Sequence, residues 1–165
     1  MATVTTLPAT FVSGAVLTAA QQNDLRGAFR VLQVVVGTTS TNVSNSTSTF
    51  ENTLLTATIT PSSTSSKILV YVVHTSCHKT AGNATNRMDM RLQRNAVDVL
   101  IIGSDLGFTE IAQRSLFTVS STFFDSPASV AALTYKTVFN STGNTAAMSV
   151  QESGASTITL MEISA

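Results

Sequence analysis

The stretch Thr58-Ile-Thr-Pro-Ser-Ser-Thr-Ser-Ser-Lys-Ile-Leu-Val-Tyr-Val-Val73 decides the fold. Before it, Leu55, Ala57 and Ile59 alternate with Thr56, Thr58 and Thr60, the period of a half-buried strand. Pro61 has no N–H to give a ladder and fixes its own φ, so the strand ends there. Ser62, Ser63, Thr64 and Ser65 supply turn chemistry. A second strand follows, apolar at every position from Ile68 to Val73. An antiparallel sandwich strand normally shows one polar face to water. A strand apolar on both faces needs cover outside as well as inside, from another part of the chain or from another subunit.

Working outward, the chain predicts more of the same. Val31–Val36 is a strand apolar on both faces except for Gln33. Gly37 to Ser48 is a Thr, Ser and Asn tract, a long connection or a weak edge strand. Met88, Met90 and Leu92 alternate with Asp89, Arg91 and Gln93; Asn95-Ala96 turns that strand and Val97–Ile102 returns, a hairpin. Gly103 to Gly107 reads as a loop. Leu116–Phe124 places Phe117, Val119 and Phe123 on one face, and Asp125-Ser-Pro127 ends it. Leu133–Phe139, Ala146–Gln151 and Ser156–Ile163 complete the pattern. Short strands at this spacing give an all-β, jelly-roll-like antiparallel β-sandwich.

The first thirty residues differ. Residues 1–16 are Thr- and Val-rich and broken by Pro8 and Gly14, an extended arm. Thr18-Ala-Ala-Gln21 is a capping box, and Leu25, Phe29 and Leu32 fall at helical spacing, so one short helix follows. The division is therefore an arm with a helix over 1–30 and a sandwich over 31–165. Leu7, Phe11, Val12, Val16 and Leu17 are the arm's apolar anchors, suited to fold onto a partner's groove or sheet edge.

At 165 residues the chain is long enough for one well-filled core. Charged residues are only 11%, against about a quarter in ordinary domains, and the formal net charge is zero. This balance excludes nucleic-acid binding by charge and favours association between copies. No apolar run reaches the length of a membrane helix, so no membrane insertion is expected. The N-terminus lacks the basic and apolar regions of a secretory signal, so the expectation is synthesis in a cytosol without export. Asn42, Asn45, Asn83 and Asn140 open glycosylation sequons that carry no chemistry in that setting. Cys77 is the only cysteine and forms no disulfide framework.

Scarce charge and two-sided strands predict a homo-oligomer, a trimer, whose subunits cover one another through Val34, Val36, Leu69, Tyr71 and Val73. The one cluster of metal-ligand types is His74-Thr-Ser-Cys77-His78. On a regular strand His74 and His78 share a face and Cys77 points the other way. Two ligands leave a zinc site short unless three copies meet on an axis. The favoured reading is therefore no metal and no cofactor, with both histidines hydrogen-bonded at a strand end and replaceable by Ala at a cost of about 1 kcal/mol or less. No Gly-x-Ser-x-Gly elbow or paired-carboxylate spacing occurs, so no enzyme is expected. Arg87, Asp89 and Arg91 share a face, either solvated or an intersubunit ionic patch.

Ile59-Thr-Pro-Ser-Ser63, Ser65-Ser-Lys-Ile-Leu-Val70, Asp125-Ser-Pro-Ala128, Thr134-Tyr-Lys136 and Ser156-Thr-Ile-Thr-Leu-Met-Glu162 occur in this order. The set resembles a family of small β-rich virion proteins of tailed bacteriophages, common among aquatic and cyanobacterial phages. Gly14-Ala-Val-Leu-Thr-Ala19 followed by Asn23 is similar to the N-terminal attachment segment of phage fibre and appendage proteins. The resemblance implies a virion component, a capsid cement or decoration protein attached through its arm to the major capsid protein or to tail or portal-vertex proteins. The alternative is the head of a tail or head fibre that binds a host-surface glycan. The chain has no Trp and only Tyr71 and Tyr135 to stack on a sugar, which favours the first.

Overall fold

The computed structural model describes residues 16, 30–80, 84–143 and 146–164. The expected helix and all the arm anchors except Val16 lie outside these residues; Val16 is exposed. The strands are β1 (Val31–Thr39), β2 (Val43–Asn45), β3 (Glu51–Ile59), β4 (Lys67–Lys79), β5 (Arg87–Arg94), β6 (Val97–Leu106), β7 (Ser115–Asp125), β8 (Leu133–Thr142), β9 (Met148–Val150) and β10 (Ser156–Ile163). All pair antiparallel.

One sheet runs β1-β10-β4, with β7 on the other side of β4; the second runs β3-β8-β5-β6. The chain passes between them as two interleaved Greek keys, the connectivity of a jelly roll. β4 is long enough for three partners. Its Lys67–Val73 half pairs with β10, its His78–Lys79 end with β9, and β7 follows its whole length. The short β2 extends the sheet beyond β9.

The expected β3–β4 turn forms over residues 60–66, closed by Ser66 N donating to Ser63 O at 3.2 Å. The expected hairpin forms between β5 and β6. Asn95 and Ala96 both take positive φ, 48° and 68°, as a two-residue turn matched to strand twist requires. Two readings are corrected. β6 continues through Gly103 to Leu106, because Met90 and Met88 of β5 go on pairing with Gly103 and Leu106. Residues 146 and 147 are outside β9, which is only Met148–Val150.

The inward residues form two apolar clusters. The first gathers Leu55, Ile59, Ile68, Val70, Leu92, Tyr135, Ile158 and Leu160. The second gathers Cys77, Met88, Met90, Phe139, Met148 and Val150. Between them along β4 and β8 lies a polar seam of His74, Thr137 and Thr53, all fully buried.

Two polar latches hold one end of the sandwich. Glu162 of β10 is buried and accepts from Ser62 N (2.7 Å), Ser62 Oγ (2.6 Å) and Gln33 Nε2 (2.6 Å). Burial alone would raise its pKa; hydrogen bonds from Ser62, Gln33 and Ser66 outweigh that and hold the carboxyl down at about 2. Asp125, at the end of β7, accepts from Tyr135 Oη (2.7 Å) and Arg94 Nη1 (2.6 Å), tying the two sheets together. Burial, then the Asp125 hydrogen bond, push the Tyr135 phenol above its ordinary range, so it stays a donor.

Candidate functional site

The outward face of the β1-β10-β4-β7 sheet is the feature that a closed core does not explain. In β1 the side chains of Gln33 and Val35 are half-buried, while Leu32, Val34 and Val36 stand exposed. In β4, Ile68, Val70 and Val72 are buried, Leu69 and Val73 half-buried, and Tyr71 exposed. In β7, Phe124 and Leu116 are exposed. Register aligns these positions. Val34 pairs with Met161, Met161 with Leu69 and Leu69 with Phe124, an apolar row crossing four strands. Beside it run Val36, Thr159, Tyr71 and Thr122, then Thr38, Thr157, Val73 and Ser120. Across these rows Lys67 at the margin is the one charged side chain on the outward positions. Val34 is 53% exposed, Val36 59%, Tyr71 45% and Phe124 56%, and no described residue covers them. A contiguous exposed apolar patch marks an interaction surface.

The five residues read from the sequence as an interface, Val34, Val36, Leu69, Tyr71 and Val73, thus share this one face. Sequence reasoning missed Leu32, Phe124 and Met161. Phe124 was legible in principle, since it has the parity opposite to Phe123 on β7. Met161 stands in the same relation to the buried Leu160 and Glu162.

The outward face of the β3-β8-β5-β6 sheet has different chemistry. Arg87, Asp89 and Arg91 do share it, alternating with the buried Met88, Met90 and Leu92. Arg91 pairs with Asp98 at 2.6 Å, and Arg87 with Asp105. Gln93 donates to Asp98 at 2.8 Å, and the Arg91 guanidinium lies 4.0 Å over the Phe50 ring. These ionic partners lie within the chain, the arrangement of a solvated face.

The histidine cluster is corrected. A β-bulge at Thr75–Ser76, with Ser76 at φ 50°, shifts the register between His74 and Cys77. The extra residue reverses the parity of the strand. His74 and Cys77 therefore both point inward, paired with Val119 and Phe117, while His78 pairs with the exposed Leu116. The two histidines lie on opposite faces. His74 is no strand-end residue: Gln151 Nε2 donates to its Nδ1 at 3.0 Å, and its Nε2 donates to Thr137 Oγ1 at 2.8 Å. Burial drives its pKa down to about 4, so it is neutral near pH 7. The Thr137 and Thr53 hydroxyls continue the chain at 2.5 Å. Burial also pushes the Cys77 thiol up to about 12, which removes thiolate reactivity. His78 Nε2 accepts from Arg114 Nε at 3.0 Å, and Arg114 also grips Glu152, at 3.1 and 3.2 Å. Among the described residues no group of three His, Cys, Asp or Glu is placed to hold a metal ion.

Fold and faces together define a jelly-roll domain with one apolar and one charged outer surface. No family model and no curated protein matches the chain. Among solved structures, the crystal structure of the infectious bursal disease virus VP2 subviral particle is similar at 12% identity and a TM-score of 0.46. The match covers 80% of this chain and 33% of that one, so the chain spans about a third of its length. A likeness of that size carries no conclusion about function.

Proposed function

We propose that the chain is a non-enzymatic structural subunit of a tailed-phage virion, a capsid decoration protein made in the host cytoplasm. The observation that carries the proposal is the asymmetry of the two outer faces. Copies associate through the apolar β1-β10-β4-β7 face, with Val34, Leu69, Tyr71 and Val73 at its centre, and present the charged β3-β8-β5-β6 face to water. The trimer expected from the sequence is one closed arrangement of that contact. Residues 1–30, with Phe11 as the aromatic anchor, attach the oligomer to the shell. The ordered series of phage-like segments supports the virion setting. Its structural meaning here is the pair of latches around Glu162 and Asp125, so the resemblance speaks for the scaffold. Antibody labelling of intact particles under the electron microscope tests the assignment. Label distributed over the shell is expected; label confined to the tail would replace decoration with a fibre role, and unlabelled particles would end the virion reading.

A further inference from the structure

A sheet edge with free N–H and C=O groups invites another strand, and proteins usually blunt such edges with brevity, charge, bulges or cover. Most of the edges of this jelly roll are treated in one of these ways. β2 is only 3 residues long. β1 is irregular in register at Val31–Gln33 and packs its inward face on β3, where a Cβ at Gly37 would collide with the Thr56 carbonyl oxygen. β3 carries a bulge at Leu54, which has φ 67° and donates its N–H to Asn52 Oδ1. β6 departs from regular register with β5 at several points and carries Asp98 and Asp105.

β7 is the exception. It is 11 residues long, regular, and among the described residues pairs with β4 alone. Ser115 to Phe124 contains no charge and no proline. Among the described residues, no further hydrogen bond to the backbone of 115–124 occurs. The sequence Ser115-Leu-Phe-Thr-Val-Ser-Ser-Thr-Phe-Phe-Asp125 is also close to a palindrome about Ser120. An antiparallel copy centred on Ser120 sets Leu116 opposite Phe124, Phe117 opposite Phe123 and Thr118 opposite Thr122. Side-chain parity is kept in that register, so outward residues meet outward ones and inward meet inward. No like charges are opposed. The half-buried Phe117 and Phe123 lie on the inner side of this open flank, where a partner strand would close it.

We infer that β7 is a docking edge for a second copy of this chain, pairing antiparallel with the partner's β7 about a two-fold axis at Ser120. The product is one continuous sheet through both subunits, with Leu116 of each chain extending the apolar outer face of the other. This contact is separate from the association through the apolar face proposed above: the edge joins copies side by side, and the face joins them through the outer surface of the sheet.

Cysteine cross-linking tests the register. Cys77 is the only native cysteine and is buried, so an introduced thiol reports alone. Thr118, Ser120 and Thr122 are exposed, and substitution there leaves the core intact. Opposed residues in an antiparallel pair have Cα atoms about 4.5–5.5 Å apart, within disulfide range. Ser120→Cys, oxidised with glutathione disulfide, should give a disulfide-linked dimer as the main product. Thr118→Cys alone should stay largely uncross-linked, because its two copies lie about 13 Å apart along the ladder. Mixing Thr118→Cys with Thr122→Cys should restore the link. Adding Val34→Glu to Ser120→Cys should leave the cross-link in place while reducing the size of the assembly, which separates the edge from the face. Absence of the Ser120 link, equal linking at Thr118 alone, or loss of the link with Val34→Glu would each overturn the inference.

Discussion

The two outward faces of this sandwich are presented by strands of the same kind, alternating with the same buried core, yet they carry opposite chemistry. On β5, the residues between buried Met88, Met90 and Leu92 are Arg87, Asp89, Arg91 and Gln93. On β4, the residues between buried Ile68, Val70 and Val72 are Leu69, Tyr71 and Val73. One face pairs Arg87 and Arg91 with carboxylates of its own chain, with Ile101 and Leu54 exposed among them. The other leaves Val34, Val36, Tyr71 and Phe124 roughly half exposed, with no described residue above them. The difference teaches that period-2 patterning identifies the core, whereas the outward set says what a strand meets beyond it.

Substitutions on neighbouring residues sharpen the contrast. The largest effect is expected inside: Leu160→Ala, at a fully buried position of β10, should cost roughly 2–5 kcal/mol in denaturant unfolding. Its outward neighbour Met161→Ala should cost less than about 1 kcal/mol of fold stability and show itself in weakened association. Comparable fold destabilisation at both sites would mean that the outer face is part of the core.

His74→Ala is the next in size. It strips Thr137 and Gln151 of a buried partner, so a cost of roughly 1–3 kcal/mol is expected, well above that of an ordinary surface position. A loss below about 0.5 kcal/mol would show that the seam between the two apolar clusters contributes little.

The Glu162 latch predicts an acid response. Its folded pKa, about 2, lies below the ordinary 4.5, so its contribution is complete above pH 4.5 and is lost as pH falls from there towards 2. Glu162→Gln should flatten that part of the stability profile, measured by thermal unfolding across the acid range. An unchanged slope would remove Glu162 as a latch. The smallest effect belongs to the charged face: Arg91→Ala breaks the Asp98 pair and should cost about 0–1 kcal/mol, less in high salt.

Much of the scaffold was legible because its signals are local. Pro61 with the serines after it marks the β3–β4 turn, and Asn95-Ala96 marks the β5–β6 hairpin. Alternation placed Leu55, Ala57 and Ile59 inside, where they lie. The bulge at Thr75–Ser76 was not legible, since no glycine announces it, and one extra residue reversed the faces of everything after it. The latches were hidden for another reason. Ser62 and Glu162 are 100 residues apart, and their meeting follows from β4 pairing with β10. Of the apolar face, the β1 and β4 members were readable from strands with apolar residues at both parities. Phe124 and Met161 became visible only through the cross-strand register that puts them in one row with Val34 and Leu69.

The central claim is that the apolar face joins copies of the chain. Sedimentation velocity at micromolar concentration tests it directly, comparing wild type with Val34→Glu on that face and Thr58→Glu on the other. The account predicts an oligomer for wild type and Thr58→Glu, and for Val34→Glu a folded species of lower mass with association at least about tenfold weaker, since a charge there would be desolvated on contact. A monomeric wild type, or a Val34→Glu protein of undiminished mass, would contradict it.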